Sequence, residues 1–87
     1  MADLHLPRTL APLFPDLPRH IEIDAPTVNE AIDELEARWP GVRDRLCEPG
    51  PAIRPQIHFY VDKERAALNT PLAPTSRVDV VAAISGG

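Results

Sequence analysis

Cysteine is almost missing from this chain. Cys47 stands alone among 87 residues, so no internal disulfide can staple the fold. A single thiol fits a reducing compartment, and the expected location is cytoplasmic. Lysine is as scarce: Lys63 is the only one, and the other eight of the nine basic residues are scattered arginines. The net charge of −4 and the lack of a basic cluster exclude the usual electrostatics of nucleic-acid binding. No apolar run approaches the ~18 residues of a membrane span, and no basic start precedes an apolar stretch, so neither a membrane segment nor a leader is expected. His5, His20 and His58 have no metal-ligand spacing, and no metal site is expected.

What is present is order of a simple kind. The length implies one domain, and the 11 prolines punctuate it into short elements. Ala2 to Leu6 alternates Leu4 and Leu6 with Asp3 and His5, the period of two of a half-buried strand. Pro7 ends it. A long connection follows, in which Leu10, Leu13 and Phe14 are the apolar anchors. Arg19 to Asp24 alternates again, with Ile21 and Ile23 on one side.

Thr27-Val28-Asn29-Glu30 reads as a capping box. Val28, Ala31, Ile32 and Leu35 continue at helical spacing, with Asp33, Glu34 and Glu36 on the solvated face. Pro40 stops this helix near Arg38 or Trp39, and Trp39 is expected to seal its end. Val42 and Leu46 suggest one more helical turn. Glu48 to Pro55 reads as a loop, and Cys47 before it as an inert thiol. Gln56 to Asp62 is a strand, Lys63-Glu64 a turn, and Arg65 to Leu68 a short edge strand. The last strand is expected over Arg77 to Ile84, with Val78 and Val80 toward the helix and Val81 and Ala83 on the open face.

A hairpin at each end with a helix between them is the β-grasp plan: an α+β fold whose mixed sheet packs on one main helix. The first and last strands then lie parallel and central. Residues 1–84 form the domain, and 85–87, Ser85-Gly86-Gly87, form a flexible tail.

Three stretches carry a resemblance to a family. Val80-Val81-Ala82-Ala83-Ile84-Ser85-Gly86-Gly87 is similar to the terminal strand and Gly-Gly of the MoaD/ThiS family of ubiquitin-like sulfur carriers. Ile57-His58-Phe59-Tyr60-Val61-Asp62-Lys63-Glu64 is similar to that family's third strand and turn. Asn69-Thr70-Pro71-Leu72 is similar to its phrase before the final strand. More weakly, Pro40 to Leu46 resembles the branch that serves cysteine biosynthesis. Two departures stand out. Asp62-Lys63 replaces the usual Asn-Gly, so a turn needing positive φ is less well supplied. Pro74-Thr75-Ser76 replaces a common Asp-Gly.

The resemblance implies a carrier, not an enzyme. An E1-like enzyme would adenylate the Gly87 carboxylate using ATP and magnesium of its own. A sulfur donor protein would supply the sulfur, and the resulting thiocarboxylate would serve a sulfur-accepting synthase. No cofactor is implied in the chain itself. Gly86 and Ser85 suit a tail that threads a narrow channel, since glycine permits close backbone approach. Ordering such a tail costs about 1–2 kcal/mol per residue, which docking of the folded domain must offset. Tyr60, Val81 and Ala83 are the expected partner interface, an apolar patch on the open sheet face. Three alternatives stay open. These are a protein modifier joined through Gly87, the small subunit of a molybdopterin-type synthase, and a binding module whose Gly-Gly is incidental.

Overall fold

The computed structural model describes residues 1–82. A five-stranded sheet is built from β1 (Ala2–His5), β2 (His20–Ile23), β5 (Ile57–Val61), β6 (Glu64–Ala66) and β7 (Arg77–Ala82), and β3 (Cys47–Glu48) and β4 (Ala52–Ile53) make a separate small hairpin. Two helices, α1 (Val28–Arg38) and α2 (Val42–Leu46), lie between β2 and β3 in the chain. The sheet order is β2-β1-β7-β5-β6. β1 and β7 run parallel, with Leu4 opposite Val78, and every other pairing in the sheet is antiparallel. This is the β-grasp arrangement, with the last strand at the centre.

The sheet's period of two explains the core. Leu4, Ile23, Ile57, Phe59, Val78 and Val80 are buried on one face, where they meet Val28, Ala31, Ile32 and Leu35 of α1 and Val42 and Leu46 of α2. Burying a side chain of the size of Phe59, which is 1% exposed, contributes roughly 1.5–3 kcal/mol. Trp39 packs half-buried on the edge of this cluster.

The ends of α1 show how the local sequence is used. The Thr27 hydroxyl accepts from the Glu30 amide at 3.3 Å, a cap worth about 1 kcal/mol. Glu30 does not reach the Thr27 backbone amide; its carboxylate instead accepts from the Thr27 hydroxyl at 3.1 Å. Two further orphan amides of this end are satisfied from a distance: Val28 donates to the Thr70 carbonyl at 3.1 Å and Asn29 to that of Leu68 at 2.8 Å. The Leu68 to Leu72 segment therefore closes the helix N-terminus.

Several expectations shift. Leu10 is buried and Phe14 half-buried, but Leu13 is 48% exposed, and Leu17 is buried in its place. A 3₁₀ turn over Arg8–Leu10 and the turns after it line up Leu10, Phe14 and Leu17 on one side and leave Leu13 on the flank. The stretch read as a loop after Cys47 contains the β3–β4 hairpin, with Cys47 opposite Ile53; two-residue strands are too short to show a period. The turn falls on Asp62-Lys63, not Lys63-Glu64, because Val61 pairs with Glu64. Both turn residues have positive φ, 50° and 73°, so a two-residue hairpin turn forms without glycine, and Lys63 carries a conformation L-residues resist. Asp62 is held there by β7: its amide donates to the Arg77 carbonyl at 2.8 Å, and its Oδ1 accepts from the Arg77 amide at 2.9 Å.

Glu36 is not merely a solvated helix residue. Its carboxylate accepts from the Gly41 amide at 3.0 Å and the Arg43 amide at 2.9 Å. These bonds hold its carboxyl below the usual range, the one to Gly41 most strongly. The contact fixes the Gly41 turn, whose φ of +103° is open to glycine and strained for other residues. Asp33 stays on the solvated face, its side chain 61% exposed, and pairs there with Arg43 at 2.6 Å.

Candidate functional site

The root of the tail is set by β7. Five of its residues pair with β5, from Val78 opposite Val61 to Ala82 opposite Ile57, and three pair with β1. Paired on both sides, as β1 and β5 also are, the strand is held against fraying. Its start is fixed as well: Ser76, 3% exposed, accepts from the Ala73 amide through Oγ at 2.9 Å, and its carbonyl accepts from the Asp3 amide at 2.9 Å. The backbone therefore reaches Ala82 with little freedom. Ala83, Ile84, Ser85, Gly86 and Gly87, which include the expected reacting residue and threading residues, lie outside the described residues.

The open face of the sheet surrounds that root. Alternation along β7 turns Arg77, Asp79 and Val81 outward, while Val78 and Val80 are buried. Val81 is 45% exposed, and Tyr60 is half-buried on the same face. They are diagonal neighbours, since Tyr60 lies opposite Asp79 and Val81 opposite His58. Of the expected patch, Tyr60 and Val81 lie among the described residues and share this face. Two apolar side chains stand in a polar field that includes His58, Asp79 and Arg77, because the outward positions of β1, β5 and β7 carry mostly polar residues. His58 and Tyr60 meet edge to face, with ring centroids 6.5 Å apart.

Arg77 and Asp79 pair along the strand at 3.1 Å. The Asp79 carboxylate raises the Arg77 guanidinium above its ordinary value, but an exposed pair of this kind adds little to stability. Beside Ala82, a hollow of about 320 Å³ is lined by Pro7, Arg8, Arg19 and Val81 among others. Arg8 and Arg19 bring positive charge beside Ala82, the last of the described residues.

Cys47 is 4% exposed, and burial pushes its thiol up. A buried protonated thiol is a weak nucleophile, in keeping with the inert role read from the sequence. The histidines of β1 and β2 are sheet-face residues, His5 half-buried and His20 exposed. His5 and His20 are directly opposite across β1 and β2, and Asp3, two residues from His5, shares their face. Distant spacing in the chain concealed this; the alternation in each strand was visible, but the register that joins them was not.

A family model described as the ThiS family matches residues 13–87. No curated protein sequence matches the chain. Among solved structures, the chain is similar to a chain of the Amycolatopsis orientalis BexX/CysO complex, with a TM-score of 0.88, 23% identity and all of both chains covered. It is similar to SAMP1 from Haloferax volcanii, with a TM-score of 0.81 and 24% identity over 99% of this chain and 98% of that one. It also resembles Mycobacterium tuberculosis CysO, described as an antigen, with a TM-score of 0.84 and 22% identity over 97% and 100% of the two chains. At these identities the likeness is one of fold.

Proposed function

The chain belongs to the ThiS family, and from that premise we propose that it is a sulfur carrier whose Gly87 carboxylate is the reacting group. The observation that carries the proposal is the family match, which runs through residue 87 and so takes in the Ser-Gly-Gly segment beyond the central strand.

The chemistry follows from the carboxylate. Its oxygen is a poor leaving group, so the acyl carbon must be activated first. An E1-like partner would bind ATP and magnesium. The Gly87 carboxylate would attack the α-phosphorus, pyrophosphate would leave, and an acyl-adenylate would form. A protein persulfide would displace AMP to give an acyl disulfide, and a thiol would reduce that bond to leave a C-terminal thiocarboxylate. Its sulfur is then a nucleophile for a sulfur-accepting synthase. The chain acts as a co-substrate, with the catalytic groups on its partners.

The folded domain has a defined task in this scheme. Gly86 and Ser85 pass through the partner's channel, and the ordering cost of a few kcal/mol for three residues is offset by docking of the sheet. Tyr60, Val81 and Ala83 are the proposed contact, with the polar residues around Val81 making the docking surface selective as well as adhesive.

Mass spectrometry of the intact protein from its native host tests the reading. A C-terminus at Gly87 with sulfur in place of one oxygen is expected, and deletion of Gly86 and Gly87 is expected to abolish it. Function that survives the deletion would overturn the carrier reading. The likeness to SAMP1, whose Methanosarcina acetivorans form is described as a small archaeal modifier protein, favours a second reading as a modifier. That reading predicts higher-mass conjugates joined through Gly87 to lysines of other proteins.

A further inference from the structure

We propose that Asp3, His5 and His20 form a binding site for a divalent first-row transition-metal ion, with zinc as its simplest occupant. One donor atom from each of the three lies within 4.8 Å of the other two. Nothing in the sulfur-transfer scheme uses these side chains.

The register builds the site. His5 and His20 are paired residues of adjacent antiparallel strands, which brings side chains on one face within contact. Their rings stack with centroids 4.4 Å apart and an interplanar angle of 17°. Asp3 precedes His5 by two residues, so the pleat puts its carboxylate on the same face. The two oxygens of Asp3 serve different rings: Oδ2 lies 3.3 Å from His5 Nε2, and Oδ1 hydrogen-bonds His20 Nε2.

Geometry and chemistry agree on the class of ion. Tetrahedral zinc with bonds of ~2.0–2.1 Å places its ligand atoms about 3.3 Å apart, the separation found between His5 and Asp3. His20 sits closer to Asp3 and must swing outward to admit an ion. Its side chain is 57% exposed, so that movement breaks one hydrogen bond and disturbs no core packing. Two imidazoles and a carboxylate suit zinc, nickel or copper, whereas magnesium and calcium favour all-oxygen sets. Glu22 lies opposite Asp3 and adds negative charge to the face, while Asp79 lies opposite His5. Arg77, opposite Asp3 on the other side, is engaged by Asp79. Three protein ligands leave a fourth position for water.

The site bridges β1 and the edge strand β2, so an ion bound there stabilises the folded chain by mass action. The test is calorimetric titration of the full chain with zinc chloride in a non-chelating buffer, with thermal melts in parallel. One ion per chain and a raised Tm are expected. Asp3→Asn, His5→Asn and His20→Asn should each weaken binding at least tenfold, while His58→Asn and magnesium chloride serve as blanks. Circular dichroism checks that the variants fold. For any that do not, amide line-broadening of the unsubstituted chain by nickel is read instead, and it should centre on Asp3, His5 and His20. No binding at millimolar zinc, binding that the three substitutions leave unchanged, or broadening centred elsewhere would each overturn the proposal.

Discussion

The two faces of the sheet share one backbone and differ in almost everything else. Toward the helices, Leu4, Phe59, Val78 and Val80 are at most 4% exposed and belong to the buried apolar cluster. On the other face, the same strands show Asp3, His5, His58, Tyr60, Arg77, Asp79 and Val81. The inner face holds the fold together without regard to partners. The outer face contributes little to stability and is free to carry recognition and ligands. A change on one side should therefore be read mainly in folding, and a change on the other mainly in binding.

The comparison is most severely tested at Phe59. Phe59→Ala removes the largest fully buried side chain and is expected to lower stability by about 3–5 kcal/mol, measured by urea denaturation. In a domain whose total is about 5–15 kcal/mol, that threatens the native state. A loss near that of a surface substitution would mean the inner face is not the seat of stability.

A smaller effect is expected where polar contacts hold the helical layer. Glu36→Ala removes the acceptor of the Gly41 and Arg43 amides and should cost about 1 kcal/mol at neutral pH. The sign with pH follows from the depressed carboxyl. Glu36 stabilises the fold above the ordinary carboxylate range, and this is lost as pH falls through its folded value. The gap between the unsubstituted chain and Glu36→Ala should therefore close in acid, as read by thermal melts across pH.

The smallest stability effect is expected on the open face. Val81→Ser should change stability by no more than about 0.5 kcal/mol, yet slow adenylation by the activating partner. A folded variant that is activated at the normal rate would remove Val81 from the contact surface.

Much of this was legible in the chain. The alternation in Ala2 to Leu6, in Gln56 to Asp62 and after Arg77 located the strands, because a half-buried strand must repeat every two residues. Thr27 to Leu35 declared its own cap and apolar stripe. Glu36 was not legible, since a carboxylate on a polar helix face looks solvated until the chain turns back at Gly41 to meet it. The β3–β4 hairpin was too short to carry a period. Leu13 and Leu17 exchanged roles because irregular turns, unlike helices and strands, impose no repeat.

The amino-acid sequence by itself determined which residues of the long strands and of α1 face inward, where those elements lie in the chain, and the family through which the Gly-Gly segment acquires a chemical reading. These are local or patterned properties, set by backbone periodicity and side-chain type. Only the tertiary structure decided that the open face is polar around Val81, that Asp62 is latched to Arg77, and that Asp3, His5 and His20 converge. Each depends on strand register across many intervening residues, and register is chosen by the packing of the whole sheet, not by any one stretch of chain.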